Sequence, residues 1–479
     1  MKKQSDYISR RSFLKTLGVG AGATATAASG ILYGCGSKHT DDNANLPNGG
    51  DPTGKMTYRT NRHTGDKVSL LGFGGMRWPT FVNSEGKEEI DQEALNSLVD
   101  YAIAHGVNYF DVAPPYMNGK AEPSMGLALK RHKRNEFFIA TKLSTQHPDF
   151  LDINTPHEPV AMYKNSFKEL QVDYIDYYLL HSVGAGSYEL FKQRFFDNHM
   201  LDFLMKEREA GRIRNLGFSY HGDIRTFDYL LAHNDEFKWD FVQIQLNYVD
   251  WKHAEEMNSR NKNAEYLYNE LLKRNIQAVI MEPLLGGRLA RLNPYSLALL
   301  KKKHPNESPA SWAFRYAGSF PDVLTVLSGM TFKEQLQENI RTYSPLVPLE
   351  ADDYKILDQI AYELSRSEMI PCTECKYCMP CPYGLNIPEI FAHYNRCVND
   401  KMLPKAGVDK NYVKAREEFL YGMDRSVPKL RQANHCIGCK QCEVQCPQHI
   451  AISSEMKHID AMTEALLQDK PVPPKEKES

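Results

Sequence analysis

Eight alternations of a short β-rich run with an amphipathic helical stretch predict an α/β fold, a (β/α)8 TIM barrel over residues 58–348. Two evenly spaced cysteine quartets predict a small, mostly α, ferredoxin-like iron–sulfur domain over residues 371–460. A doubly wound sheet is the rival arrangement. Eight regular units without a phosphate-binding glycine motif favour the barrel.

The barrel strands are expected at residues 68–76, 108–113, 137–143, 174–182, 213–221, 241–249, 277–284 and 323–330. Each is an apolar run rich in Val, Ile, Leu, Tyr and Phe, as strands covered on both faces require. Helical periodicity falls between them, at 92–105, 122–132, 160–170, 265–274 and 333–340. Residues 56–66 read as a hairpin capping the barrel floor. Pro345 and Pro348 punctuate the end of the barrel. A connecting segment, 349–370, holds a helix over 351–366. Between the quartets, 388–435 reads as helical, with Phe391, Tyr394, Phe419 and Leu420 as core candidates. Residues 461–479 are expected to form a disordered tail, with a Pro/Lys/Glu-rich end.

The 479-residue chain is 42% hydrophobic with a formal net charge of −2. That balance suits a globular protein and gives no basic excess to draw nucleic acid. The first 34 residues stand apart. Ser9-Arg10-Arg11-Ser12-Phe13-Leu14-Lys15 precedes a Gly/Ala/Thr-rich stretch, the pattern of a twin-arginine export signal. The stretch is too glycine-rich for a good spanning helix. Its Gly18-x-Gly20-x-x-Ala23 follows no strand and is set aside as a dinucleotide motif. Export implies a periplasmic protein. Gly34-Cys35 resembles a lipoprotein cleavage box, with Tyr33 where a small residue is usual. Cys35 is then either a lipid anchor at the membrane or, after cleavage near Ala25-Thr26-Ala27, merely free. Residues 35–57 read as a flexible linker.

The quartets are Cys372, Cys375, Cys378, Cys381 and Cys436, Cys439, Cys442, Cys446, each followed by proline. The second is the bacterial ferredoxin run, C-x2-C-x2-C-x3-C-P. Zinc knuckles are the plainer reading, but zinc needs only two C-x2-C pairs. Two [4Fe–4S] clusters are expected. In two-cluster ferredoxins the fourth Cys of each run serves the other cluster. By that pattern Cys372, Cys375, Cys378 and Cys446 hold one cube, and Cys436, Cys439, Cys442 and Cys381 the other. Cys397 fits neither run and is expected in the core.

Chemistry in a TIM barrel sits at the carboxyl ends of the strands. Those ends offer Asp111 and Tyr116, Lys142, and His181 at three consecutive strands. Singly each has a plain structural explanation; jointly they suggest proton work. The stretches 108–126 (N-Y-F-D-V-A-P-P-Y-M-N-G-K-A-E-P-S-M-G), 137–143 (F-F-I-A-T-K-L), 177–182 (Y-Y-L-L-H-S) and 328–339 (S-G-M-T-F-K-E-Q-L-Q-E-N) resemble the aldo/keto reductase family. The quartets resemble those of its iron–sulfur-bearing bacterial branch. The resemblance implies that Tyr116 protonates a carbonyl oxygen as hydride arrives. It implies that Lys142 lowers the Tyr116 pKa, that Asp111 holds Lys142, and that His181 orients the substrate oxygen. It places Ser219 and Gln243 on a nicotinamide carboxamide, and Gly329, Met330, Lys333, Glu338 and Asn339 on the phosphate and adenine loop. Tyr220 replaces the family's Asn, and Gln335 its Arg, so NADP and NAD both stay open.

The resemblance thus implies hydride transfer between NADP or NAD and a small carbonyl or alcohol substrate. The clusters carry single electrons, for which a redox partner protein is expected, or serve as structural staples. A non-catalytic electron-transfer subunit on an inherited barrel is the alternative. The substrate itself is not readable.

Overall fold

A computed structural model describes residues 51–145, 151–404 and 411–475. The expected export signal and most of the linker lie outside the described residues.

A closed parallel barrel forms the larger part. A hairpin of β1 (Tyr58–Thr60) and β2 (Lys67–Ser69) precedes it. The barrel strands are β3 (Leu71–Gly74), β6 (Tyr109–Asp111), β7 (Phe138–Leu143), β8 (Ile175–Val183), β9 (Ile213–Tyr220), β10 (Phe241–Gln245), β11 (Gln277–Met281) and β12 (Val323–Gly329). Strand order is sequence order, with β12 closing on β3. A second hairpin, β4 (Thr80–Val82) and β5 (Glu88–Ile90), follows β3. All eight expected barrel strands are present.

Two boundaries differ from expectation. Lys67–Ser69 belongs to the floor hairpin, pairing antiparallel with Tyr58–Thr60. Val68 is apolar and fully buried because it plugs the lumen from below. The tail is also shorter than expected. A helix runs Ile452–Leu467, and Met462 and Leu466 bury against the cluster domain's core.

Strand alternation fixes what the lumen contains. Tyr109, Ala140, Tyr177, Leu179, Phe241, Val279 and Leu324 fill its lower part as a separate apolar cluster. Below them Asn61 of the floor hairpin bonds the Tyr177 hydroxyl at 2.8 Å and Asn215 at 3.0 Å. The lumen is therefore a sealed, packed core, and only its upper end is free for chemistry. Outside it the helices bury one continuous apolar shell. Local caps set their starts. Asp91 accepts from the Ala94 amide at 3.0 Å, and Asn293 caps a helix that opens on Pro294.

The helix Ala351–Ser365 leads to the cluster domain. Helices Ile387–Asn399, Tyr412–Ser426 and Ile452–Leu467 supply a core of their own, with Phe391, Tyr394, Cys397 and Phe419 buried and Leu420 partly buried. Among the described residues, no helix is long and apolar enough to cross a membrane.

Candidate functional site

The alternation that packs the lumen also aims the polar cluster. Asp111 follows Tyr109 by two, Lys142 follows Ala140, His181 follows Leu179, and Gln243 follows Phe241. Each therefore shares the lumen-facing side of its strand and caps an apolar column. Tyr116 enters from the turn after β6, where Met117 and Asn118 take left-handed backbone at φ 52° and 56°.

Lys142 Nζ lies 2.6 Å from Asp111 Oδ1 and donates to the Val112 carbonyl at 2.7 Å. The ammonium side chain is 0% exposed. Burial pulls the Lys142 pKa down and pushes that of Asp111 up, while their mutual attraction opposes both shifts. Nζ sits 4.8 Å from the centre of the Tyr116 ring. The His181 ring is 5.9 Å from the same ring, edge-on, and its Nδ1 meets Ser144 Oγ at 2.6 Å. The four expected residues thus converge.

Lys142 bonds Asp111 and the Val112 carbonyl and lies over the Tyr116 ring, yet the net shift at Tyr116 is upward, against the expectation of a lowered pKa. Burial holds the phenol well above its ordinary range, and Tyr377 adds to this. A phenol held this way keeps its proton until a strong base, such as a developing alkoxide, is in contact.

The expected nicotinamide residues divide into two groups. Ser219 and Gln243 are register partners on β9 and β10. Ser219 Oγ accepts from the Ser182 amide at 3.0 Å, and Gln243 Oε1 is buried with no hydrogen-bond partner. That orphaned acceptor fits an amide donor. The far group is not assembled. Met330 is wholly buried in the core. Lys333 lies 4.7 Å over the Tyr101 ring, and Asn339 is taken by Ser328 at 3.0 Å. The Glu338 carbonyl accepts from Thr342, and the Arg77 side chain lies against the exposed Gly329. Tyr220 folds into the core against Phe227 and bonds the Gly222 carbonyl, so His221 comes forward and faces His181 at 6.1 Å.

Four of the eight quartet cysteines share one cavity. Cys372, Cys375, Cys378 and Cys446 line it, with Ile387, Phe391 and Ile450 among its apolar walls. Cys442 feels the charges of Cys436 and Cys381. Among the described residues, no three such side chains close on a point as ligands of a single ion do. The first group surrounds a space instead. Burial pushes the free thiols of Cys372 and Cys375 up to about 12 and about 11. Only a cationic centre in the cavity would hold them as thiolates, which is the chemistry an iron–sulfur cube supplies.

The cluster domain sits over the barrel mouth. Arg77 bonds the Thr373 carbonyl, and a Cβ on Gly286 would overlap the Thr373 backbone. Asn258 bonds the Gln448 carbonyl, and Arg260 meets His449 at 3.3 Å. His449 Nε2 would lie 2.8 Å from a Cβ on Gly222. Tyr377, between Cys375 and Cys378, packs on the barrel core with its ring 6.5 Å from that of Tyr116. Sequence reasoning missed Tyr377, Arg77, Arg288, His221 and His449. The only local signal was the placing of Tyr377 and His449 beside cluster cysteines.

The barrel with this polar mouth and a cysteine-lined domain defines an oxidoreductase scaffold, and the comparisons with known proteins agree. Residues 70–362 match the model of the aldo/keto reductase family, and residues 371–452 match that of a 4Fe-4S dicluster domain. The chain belongs to the aldo/keto reductase family and carries a C-terminal 4Fe-4S domain. It is 33% identical over 135 residues to a probable voltage-gated potassium channel subunit beta of Arabidopsis thaliana, covering 28% of this chain and 39% of that protein. The chain thus spans well under half the length of that relative. It is 22% identical to the L-galactose dehydrogenase of Arabidopsis thaliana over 313 residues, 62% of this chain and 91% of that one. An aldo-keto reductase from Bacillus halodurans in its holo form superposes with a TM-score of 0.50 at 22% identity. The superposition covers 64% of this chain and 96% of that one, a likeness of fold.

Proposed function

We propose that this protein transfers hydride between a nicotinamide cofactor, NADP or NAD, and a small carbonyl or alcohol substrate, with two [4Fe–4S] clusters carrying single electrons. The convergence of Tyr116, Lys142, Asp111 and His181 at the lumen's open end carries the reading. Tyr116 holds a proton for the substrate oxygen. Lys142, fixed by Asp111 and the Val112 carbonyl, puts a buried positive charge where an alkoxide would develop. His181, tethered by Ser144, orients the oxygen. Gln243 and Ser219 would hold the nicotinamide carboxamide, and the bound cofactor would supply the hydride. A dinucleotide reaching from Gln243 to Gly329 would pass near Gly286, against which Thr373 of the cluster loop packs.

The cubes would be held crosswise, by Cys372, Cys375, Cys378 and Cys446, and by Cys436, Cys439, Cys442 and Cys381. The twin-arginine pattern supports export to the periplasm with cofactors already loaded. There Cys35 would be lipidated and a redox partner protein would exchange electrons. Changing Arg10 and Arg11 together to Lys should then leave the precursor in the cytoplasm.

Anaerobic purification followed by extraction of iron, sulfide, nicotinamide and flavin tests the cofactor set. Tyr116→Phe tests the chemistry. It should cut carbonyl reduction by about 10²–10⁴-fold with nicotinamide binding kept. Wild-type turnover by that variant would refute the assignment.

A further inference from the structure

The barrel turn Leu285–Ala290 carries Arg288, and its Gly286 packs against Thr373 of the first cysteine loop. Its Nε and Nη1 are buried and have no hydrogen-bond partner. A buried guanidinium with two idle donors is costly unless an anion faces it. Two charges act on Arg288 most strongly, Asp250 and Cys372. Asp250 Oδ2 accepts from the Gln245 and Asn247 amides, each at 2.6 Å, and leaves the idle Arg288 donors unbonded. Those donors are free to face an anion held by the Cys372 loop.

The surroundings of the two cysteine groups are unequal. The Cys372 cavity is walled by apolar side chains, and Tyr377 packs its loop against Tyr116. Arg77 adds a second guanidinium, bonded to the Thr373 carbonyl and acting on Cys375. The other group opens to solvent, with Cys439 exposed and Ile437 61% exposed. One group is inner and borders the barrel site; the other is outer.

We propose that Arg288 is a positioning residue for the inner cube, and that its charge stabilises that cube's reduced state. The proposal rests on the crossed two-cube reading given above. A cube with four thiolates is anionic, and a one-electron reduction adds a further negative charge. Net charge and hydrogen bonding around the sulfurs set the potential of such a centre. A fixed cation against Cys372 favours the electron's arrival, and low local dielectric amplifies it. Asp250 offsets part of this charge and Arg77 reinforces it.

The test is a redox titration of the anaerobic holoprotein, poised with dithionite and followed by electron paramagnetic resonance. Arg288→Met should lower the potential of one signal and leave the other in place. The expected fall is at least tenfold in the reduction equilibrium constant, which is 59 mV for one electron. Arg288→Lys, which keeps the charge, should fall less. Two unmoved signals, or two that shift equally, would overturn the proposal. Iron and sulfide are measured on each variant, so that a lost cube is not mistaken for a shifted one. If Arg288→Met loses iron, the comparison is made on Arg288→Lys against Arg288→Gln, and equal potentials there overturn it. Wild-type protein should hold about eight iron atoms per chain, as two cubes require. A count near four would sink the two-cube reading alone, because the Arg288 shift is still read on the remaining signal.

Discussion

The ring of Tyr377 packs against the ring of Tyr116, their centres 6.5 Å apart. A residue of the cluster loop thus touches the proton donor proposed for the barrel. Burial is the main reason that the Tyr116 pKa is raised, and Tyr377 raises it further. Removing the Tyr377 hydroxyl should therefore let Tyr116 ionise at lower pH. In Tyr377→Phe the alkaline limb of the rate profile should move to lower pH, with iron content unchanged. The loss of rate should be smaller than in Tyr116→Phe. An alkaline limb that stays put would mean that the two phenols are uncoupled.

The Asp111–Lys142 pair should be costly to halve. Both charges are out of water, and Asp111 Oδ2 already lacks a partner. Asp111→Asn strands a buried ammonium and should destabilise the barrel by about 3–5 kcal/mol. Asp111→Leu combined with Lys142→Met removes both charges and should restore much of that stability while abolishing reduction. Denaturant midpoints of the single and double variants decide between these outcomes.

Crossed ligation should show itself in Cys446→Ser. The thiol lost lines the cavity with Cys372, Cys375 and Cys378. The damaged cube should therefore be the inner one, although the mutation lies in the second run. The signal that moves in Arg288→Met should be the signal that Cys446→Ser broadens or deletes. Damage confined to the other signal would indicate two local sites.

Stability in acid should depend on His393. Burial pushes this imidazole down to about 4, against an unfolded value near 6.5. The folded domain therefore binds fewer protons than the unfolded chain between those limits. The stability at stake is fully present above pH 6.5 and is lost as pH falls towards 4. The Nε2 contact with the Phe419 carbonyl at 2.8 Å ties helices Ile387–Asn399 and Tyr412–Ser426 together. Urea midpoints of wild type and His393→Gln, compared at pH 7 and pH 4.5, should converge in acid. A constant gap between them would remove His393 from the account.

Much of this was legible in the chain. The eight barrel strands announced themselves as apolar runs because parallel strands are covered on both faces. Asp111, Lys142 and His181 were readable because each stands at a strand end on the lumen-facing parity. Lys67–Ser69 was misjudged because Val68 is as apolar as a barrel strand, though it plugs the floor. The helix through Leu467 was hidden by polar neighbours that face solvent. Tyr377 and Arg288 could not be found, because each gains its meaning from a contact between segments far apart in the chain. The direction of the Tyr116 shift was misread for a similar reason: depth of burial is a property of the fold.

The cavity shared by Cys372 and Cys446 has a consequence for biosynthesis. A ribosome must pass residue 446, and release it from the exit tunnel, before the inner pocket has its fourth thiol. Cys436, Cys439 and Cys442 come late as well. Crossed cubes would therefore be inserted only after the barrel has emerged. During that interval the mouth lacks its cover, and Tyr116 is open to solvent and small molecules. Metal loading would thus follow folding of the barrel and precede export, and the same step would close the barrel's mouth.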